Sequence, residues 1–169
     1  MIAIKITKQK DFMGKLLTSE LFDSYLVNEV TIETFNTFNI DGKINKAFYD
    51  GNPASDESDA SQAIAEYSAW SALRPICLEL IKGKRTPLGF KFIFYLDNTA
   101  KAQLVSSSGS DILPENVSLG LNIKFSGSEM IITTGCAYNT FTLDKEIEKV
   151  WDVYIPKFLD NNAIEYEIL

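Results

Sequence analysis

The stretch Tyr67 to Leu96, YSAWSALRPICLELIKGKRTPLGFKFIFYL, limits what this chain can fold into more than any other. Leu73, Ile76, Cys77, Leu80 and Ile81 recur at helical spacing, and Ile64, Tyr67 and Trp70 extend the same stripe backwards. Gly83 suits the position after a helix end, and Pro87 prevents the helix from resuming. Phe90, Phe92, Phe94 and Leu96 then alternate with Lys91, Ile93 and Tyr95, the pattern of an interior strand expected to be covered on both sides. A helix, a tight basic bend and a buried strand are thus predicted in succession. Pro75 removes a backbone donor, so the helix either starts near Ser71 or is kinked.

Other segments supply more strands. Ile2, Ile4 and Ile6 alternate with polar or small residues, and a helix from Lys8 to about Leu17, capped by Thr7, follows with Phe12, Met13, Leu16 and Leu17 inward. Val30, Ile32, Phe38 and Ile40 keep one parity, interrupted only by Phe35, which predicts one long half-wet strand. Asp41-Gly42 is a hairpin signal. A three-residue loop, Asp41 to Lys43, keeps Phe38, Ile40, Ile44 and Phe48 on one face and places Gly42 or Lys43 at positive φ. Asp97 to Ala100 reads as a turn into a strand around Lys101 to Val105. Leu119 to Phe125 and Met130 to Thr134 form strands joined at Ser126-Gly127-Ser128, and Phe141 and Leu143 end another short strand. Thr142 or Asp144 caps a last helix with Ile147, Val150, Trp151, Tyr154, Phe158 and Leu159 inward and Pro156 loosening its last turn. Ile164, Tyr166 and Ile168 make a final strand. The expectation is an α+β fold, a largely antiparallel sheet built of hairpins with three helices packed on it, as one domain over residues 1–169. Asp50 to Ser61 is acidic and poor in apolar residues, which predicts a mobile loop.

Composition enters through what it excludes. The 169 residues contain no histidine, which removes the usual neutral-pH base, the histidine-dependent triads and most zinc sites. No phosphate loop, nucleophile elbow or dinucleotide fingerprint is complete. The sequence therefore points away from an enzyme and calls for no cofactor or metal. A small hydrolase or transferase working through carboxylates such as Asp97 and Asp111 has no warrant in their spacing. A net charge of −7 argues against broad binding to nucleic acid or membrane surfaces. No apolar run is long enough for a membrane helix, no signal peptide is evident, and Cys77 and Cys136 lack metal-ligand spacing, which together suggest a reducing cytoplasm.

Charge is unevenly distributed. Arg74, Lys82, Lys84, Arg85 and Lys91 face only Glu79 within their segment. Lys82, Lys84, Arg85 and Thr86, at the bend, are the candidate ligand-binding residues: clustered cations near a turn can hold a carboxylate or phosphate, and arginine can do so bidentately. Cations at a helix C-terminus also offset the macrodipole and bond its last carbonyls, so the same spacing serves a purely structural role. Glu79 suits an ion pair with Lys82. Cys136, after Thr133-Thr134-Gly135, reads as a small buried hydrophobe rather than an activated thiol. Trp70, Tyr67, Trp151 and Tyr154 read as core.

Three segments carry a resemblance: Phe35 to Gly42, Tyr67 through Leu88 with Ile81-Lys82-Gly83-Lys84-Arg85-Thr86-Pro87 at its centre, and Thr140 to Lys145. Together they resemble a small uncharacterised bacterial protein family of unknown function over nearly the whole chain. That resemblance implies no activity, cofactor or site. The element order is also similar to one domain of a ring-forming DNA sliding clamp, a fold-level likeness that would imply a nucleic-acid-associated homo-oligomer. The expected function is a non-enzymatic binding or interaction module whose basic turn meets a small anion or a protein partner, with the clamp-like oligomer as the alternative.

Overall fold

The computed structural model describes residues 1–49 and 65–169. Seven strands form one sheet, with every pairing antiparallel: β1 Ala3–Ile6, β2 Leu26–Glu33, β3 Thr37–Asp41, β4 Gly89–Tyr95, β5 Val117–Phe125, β6 Met130–Tyr138 and β7 Tyr166–Ile168. Their order across the sheet is β3-β2-β4-β5-β6-β1-β7. The helices among the described residues are α1 Gln9–Thr18, α2 Trp70–Ile81, α3 Asn98–Ser108 and α4 Glu146–Asn161. The expected acidic loop at 50–61 lies outside the described residues.

Strand periodicity sets the layers. Ile4, Ile6, Val30, Ile32, Phe90, Phe92, Phe94, Leu119, Leu121, Ile123 and Ile132 are buried on one face. Their neighbours Thr31, Lys91, Ile93, Asn122 and Thr133 are only half-buried on the other. Among the described residues the sheet is therefore packed on one side rather than both. Trp70 lies against Phe92 and Phe94 with ring centroids 5.3 and 5.1 Å away. Its indole N–H donates to the Leu16 carbonyl at 2.9 Å and ties α2 to α1. Phe22 joins Phe12 of α1, Phe94 of the sheet and Phe158 of α4. Trp151, fully buried, reaches the Gly120 carbonyl at 3.0 Å. Tyr154 stacks on it, half-buried.

Four helices are present among the described residues where three were expected. Residues 98–108 are α3, not a turn and a strand. The Asp97 carboxylate accepts from the Ala100 N–H at 3.0 Å and caps the first turn, while Gly109, at φ 74°, closes the other end in the left-handed region. Lys101 to Val105 was too short to separate a period of two from one of 3.6. The capping residues decide it.

The long strand is also corrected. It reverses at Thr34–Asn36, so Val30 pairs with Ile40 and Ile32 with Phe38. Turning over three residues preserves parity, as argued from the sequence, but at Phe35 rather than at Asp41. Gly42 is not at positive φ. It donates its N–H to the Asn28 carbonyl at 2.9 Å, beside an irregularity between Val27 and Glu29. A Cβ there would fall 1.8 Å from the Val27 carbonyl oxygen. Close backbone approach, not turn geometry, requires the glycine. Phe48, expected inward, sits 79% exposed on a short 3-10 turn.

Smaller departures have similar causes. Pro75 lies in the second turn of α2, which begins at Trp70; Ser71 and Pro75 are both exposed, so the carbonyl that Pro75 cannot serve faces water. Ile76 points outward while Cys77 is fully buried. Helix α4 runs through Pro156 to Asn161. No side chain caps α1, so Thr7 does not serve there. Asp144 accepts from the Glu146 N–H at 2.8 Å at the start of α4. Residues 139–145 form no strand, and Phe141 and Leu143 are exposed.

Candidate functional site

The basic bend follows from how α2 ends. Ile81 is its last residue, and Lys82 donates its N–H to the Leu78 carbonyl at 2.8 Å. Gly83 then takes φ 145°, open to a residue without a Cβ, and the chain turns through Lys84, Arg85 and Thr86 before entering β4. Leu88 donates to the Glu33 carbonyl at 2.9 Å, which fastens the end of the bend to the β2–β3 reversal.

That fastening builds a groove of about 380 Å³. Its lining includes Lys82, Lys84, Arg85 and Thr86, the apolar Phe35 and Leu88, Thr34, and one carboxylate, Glu79. The four sequence-predicted residues are thus brought together, and all are exposed. Lys82 pairs with Glu79 at 2.7 Å, the i,i+3 contact expected from spacing. Lys84 and Arg85 make no ion pair or hydrogen bond among the described residues. Neither bonds the last carbonyls of α2, so the capping role that the spacing allowed is not the one these two side chains perform. Arg74 is different. It holds Asp23 through two bonds, at 2.7 and 3.0 Å, and joins α2 to the chain leading into β2. Its charge is spent inside the protein.

Three groove residues were not singled out by sequence. Phe35 is 82% exposed and Leu88 is 72% exposed. The Thr34 hydroxyl is buried with no hydrogen-bond partner. Phe35 did carry a signal, since it alone broke the parity of its run. Leu88 carried none, because its exposure depends on where β4 begins.

The two thiols are poor nucleophiles. Burial pushes Cys77 and Cys136 up to about 12. Cys77 is buried and Cys136 half-buried, and both are free. No helix among the described residues is long and apolar enough to cross a membrane, and no three acidic or sulfur ligands cluster there as a metal site would need.

A model of a protein family of unknown function (DUF5721) matches residues 15–167. The chain belongs to this family. The match covers all of the elements from α2 to α4, including the bend. No curated protein and no solved structure matches the chain. The clamp-like order of elements therefore has no matching structure behind it.

Proposed function

We propose that this protein is a non-catalytic binding module whose basic bend receives an acidic segment of a partner protein. The observation that carries this reading is the adjacency of two cations without an acidic partner among the described residues, Lys84 and Arg85, and two exposed apolar side chains, Phe35 and Leu88, in one groove. A free inorganic anion would use the cations alone. A segment with a carboxylate beside an apolar side chain uses both the cations and the exposed apolar side chains that line the groove. A reducing, cytoplasmic setting belongs to this reading, supported by the two free thiols.

The test is fluorescence anisotropy with a labelled peptide of alternating glutamate and leucine, and with polyglutamate of equal charge. The alternating peptide should bind more tightly, and affinity should fall as salt rises. The double variant Lys84→Ala, Arg85→Ala should abolish binding with thermal stability nearly unchanged. Equal binding by wild type and double variant refutes the reading.

A second reading, assembly edge to edge into a nucleic-acid-associated oligomer, has one observation in its favour. Among the described residues, strands β3 and β7 are the sheet edges. Light scattering at a multiple of 18.9 kDa, with DNA binding that weakens steeply in salt, would support it. A monomer that does not bind DNA removes it.

A further inference from the structure

A second concavity lies at the other end of β4, roughly 20 Å from the bend at about 3.3 Å per strand residue. It holds about 120 Å³ and is lined by Tyr67, Tyr95, Asn98, Lys101, Ser118 and Glu66 among others. At ~30 Å³ per water that is room for about four waters, well below the ~300 Å³ at which pockets for larger ligands begin. The occupant must be small.

The lining has one cation and one carboxylate, and they do not meet. The side chain of Lys101, half-buried in the first turn of α3, makes no ion pair or hydrogen bond among the described residues. Desolvation lowers its affinity for a proton, and the pull of Glu115 and then Glu66 in the other direction does not cancel this. Glu66 is exposed at the rim, and its side chain too makes no bond. Neutral groups fill the rest. The Tyr67 and Tyr95 rings meet edge to face at 5.4 Å. The Tyr95 oxygen accepts from the Asn28 amide, so its own O–H is left to donate. Ser118 and Asn98 add a hydroxyl and an amide.

We propose that this pocket binds a small zwitterion of the α-amino-acid class, with its carboxylate toward Lys101 and its ammonium toward Glu66. A simple anion would satisfy Lys101 but face the Glu66 carboxylate. A simple cation would face Lys101. A molecule carrying both charges a few bonds apart satisfies each, and the phenol and serine hydroxyls complete the carboxylate's hydrogen bonds.

The experiment is an NMR titration of the full-length chain, following backbone amides, with L-serine, L-alanine, acetate and methylammonium as separate probes. Saturable shifts at Tyr67, Lys101 and Ser118 are expected with L-serine or L-alanine, with at least tenfold weaker binding of acetate and of methylammonium. Lys101→Met should weaken L-serine binding at least tenfold and Glu66→Gln severalfold, whereas Lys84→Ala with Arg85→Ala should leave it unchanged, which separates this site from the bend. The proposal is overturned if neither amino acid gives saturable shifts, or if acetate binds as tightly as they do. Unchanged L-serine binding by Lys101→Met also overturns it. Should Lys101→Met fail to fold, the comparison of probes on the wild-type chain decides alone.

Discussion

Replacing Gly42 with alanine or asparagine distinguishes the two physical accounts of that residue. If Asp41-Gly42 were a hairpin turn with Gly42 at positive φ, asparagine would be well tolerated there, because its side chain adopts the left-handed region at little expense. In the structure the obstacle is steric. An added Cβ falls 1.8 Å from the Val27 oxygen and 2.5 Å from its carbonyl carbon, where ordinary contact begins at 3.4 Å. Those are backbone atoms and cannot swing aside. The strand must separate from its neighbours, which breaks the Gly42-to-Asn28, Ser68-to-Gly42 and Val27-to-Ser68 bonds, at 2.9, 2.9 and 2.8 Å. At about 1 kcal/mol net for each backbone bond, the loss is ~3 kcal/mol. The reduced freedom of the unfolded chain returns ~0.4–1 kcal/mol, leaving about 2 kcal/mol for alanine and more for the larger asparagine. Gly14, inside α1 with its nearest would-be contact at 3.9 Å, supplies the control. Alanine there should stabilise by ~0.5–1 kcal/mol. Urea unfolding followed by far-UV circular dichroism reads both. With a slope of roughly 2 kcal/mol per molar, Gly42→Ala should lower the midpoint by about 1 M. Stability of Gly42→Asn equal to wild type would refute the close-approach account.

Three further outcomes are expected. Trp70→Phe leaves the buried Leu16 carbonyl without its donor and should destabilise by ~1–3 kcal/mol in the same assay, with Trp151 fluorescence retained. Asp97→Ala removes the cap of α3 and should destabilise by about 1 kcal/mol, with a loss of helical signal that a strand at 101–105 would not give. Both thiols are held up to about 12 by burial from an ordinary 9.0, so neither should react with iodoacetamide at pH 8 until the chain is unfolded. Because the folded chain favours the neutral thiol, stability is unaffected by these groups below about pH 9 and falls as pH rises from there toward 12. Rapid labelling of the native chain at pH 8 contradicts the burial of both.

Much of the frame was legible because it rests on local periodicity. The helix at 70–81, the bend after Gly83 and the phenylalanine strand each follow from spacing within a few residues, as does the Glu79–Lys82 pair. So does the hairpin at Ser126–Ser128, where Gly127 takes φ 87°. Short ambiguous runs were not legible. Lys101 to Val105 lacks enough turns to declare its period, and Asp41-Gly42 has the composition of a turn while serving a different need. The basic bend was readable as a cluster of cations, but the groove was not. Phe35 and Leu88 are far apart in sequence and line one groove only because β2 and β4 are paired.

Sequence alone determined which face of each central strand turns inward and where helix α2 must stop, since alternation, helical spacing and glycine's backbone freedom act over one or two turns of chain. Tertiary structure alone decided which charges remain unspent. Arg74 finds Asp23 across the fold, while Lys84 and Arg85 find no acid among the described residues. Charges pair through space at a few ångströms, and the sequence does not record which distant side chains the sheet brings that close.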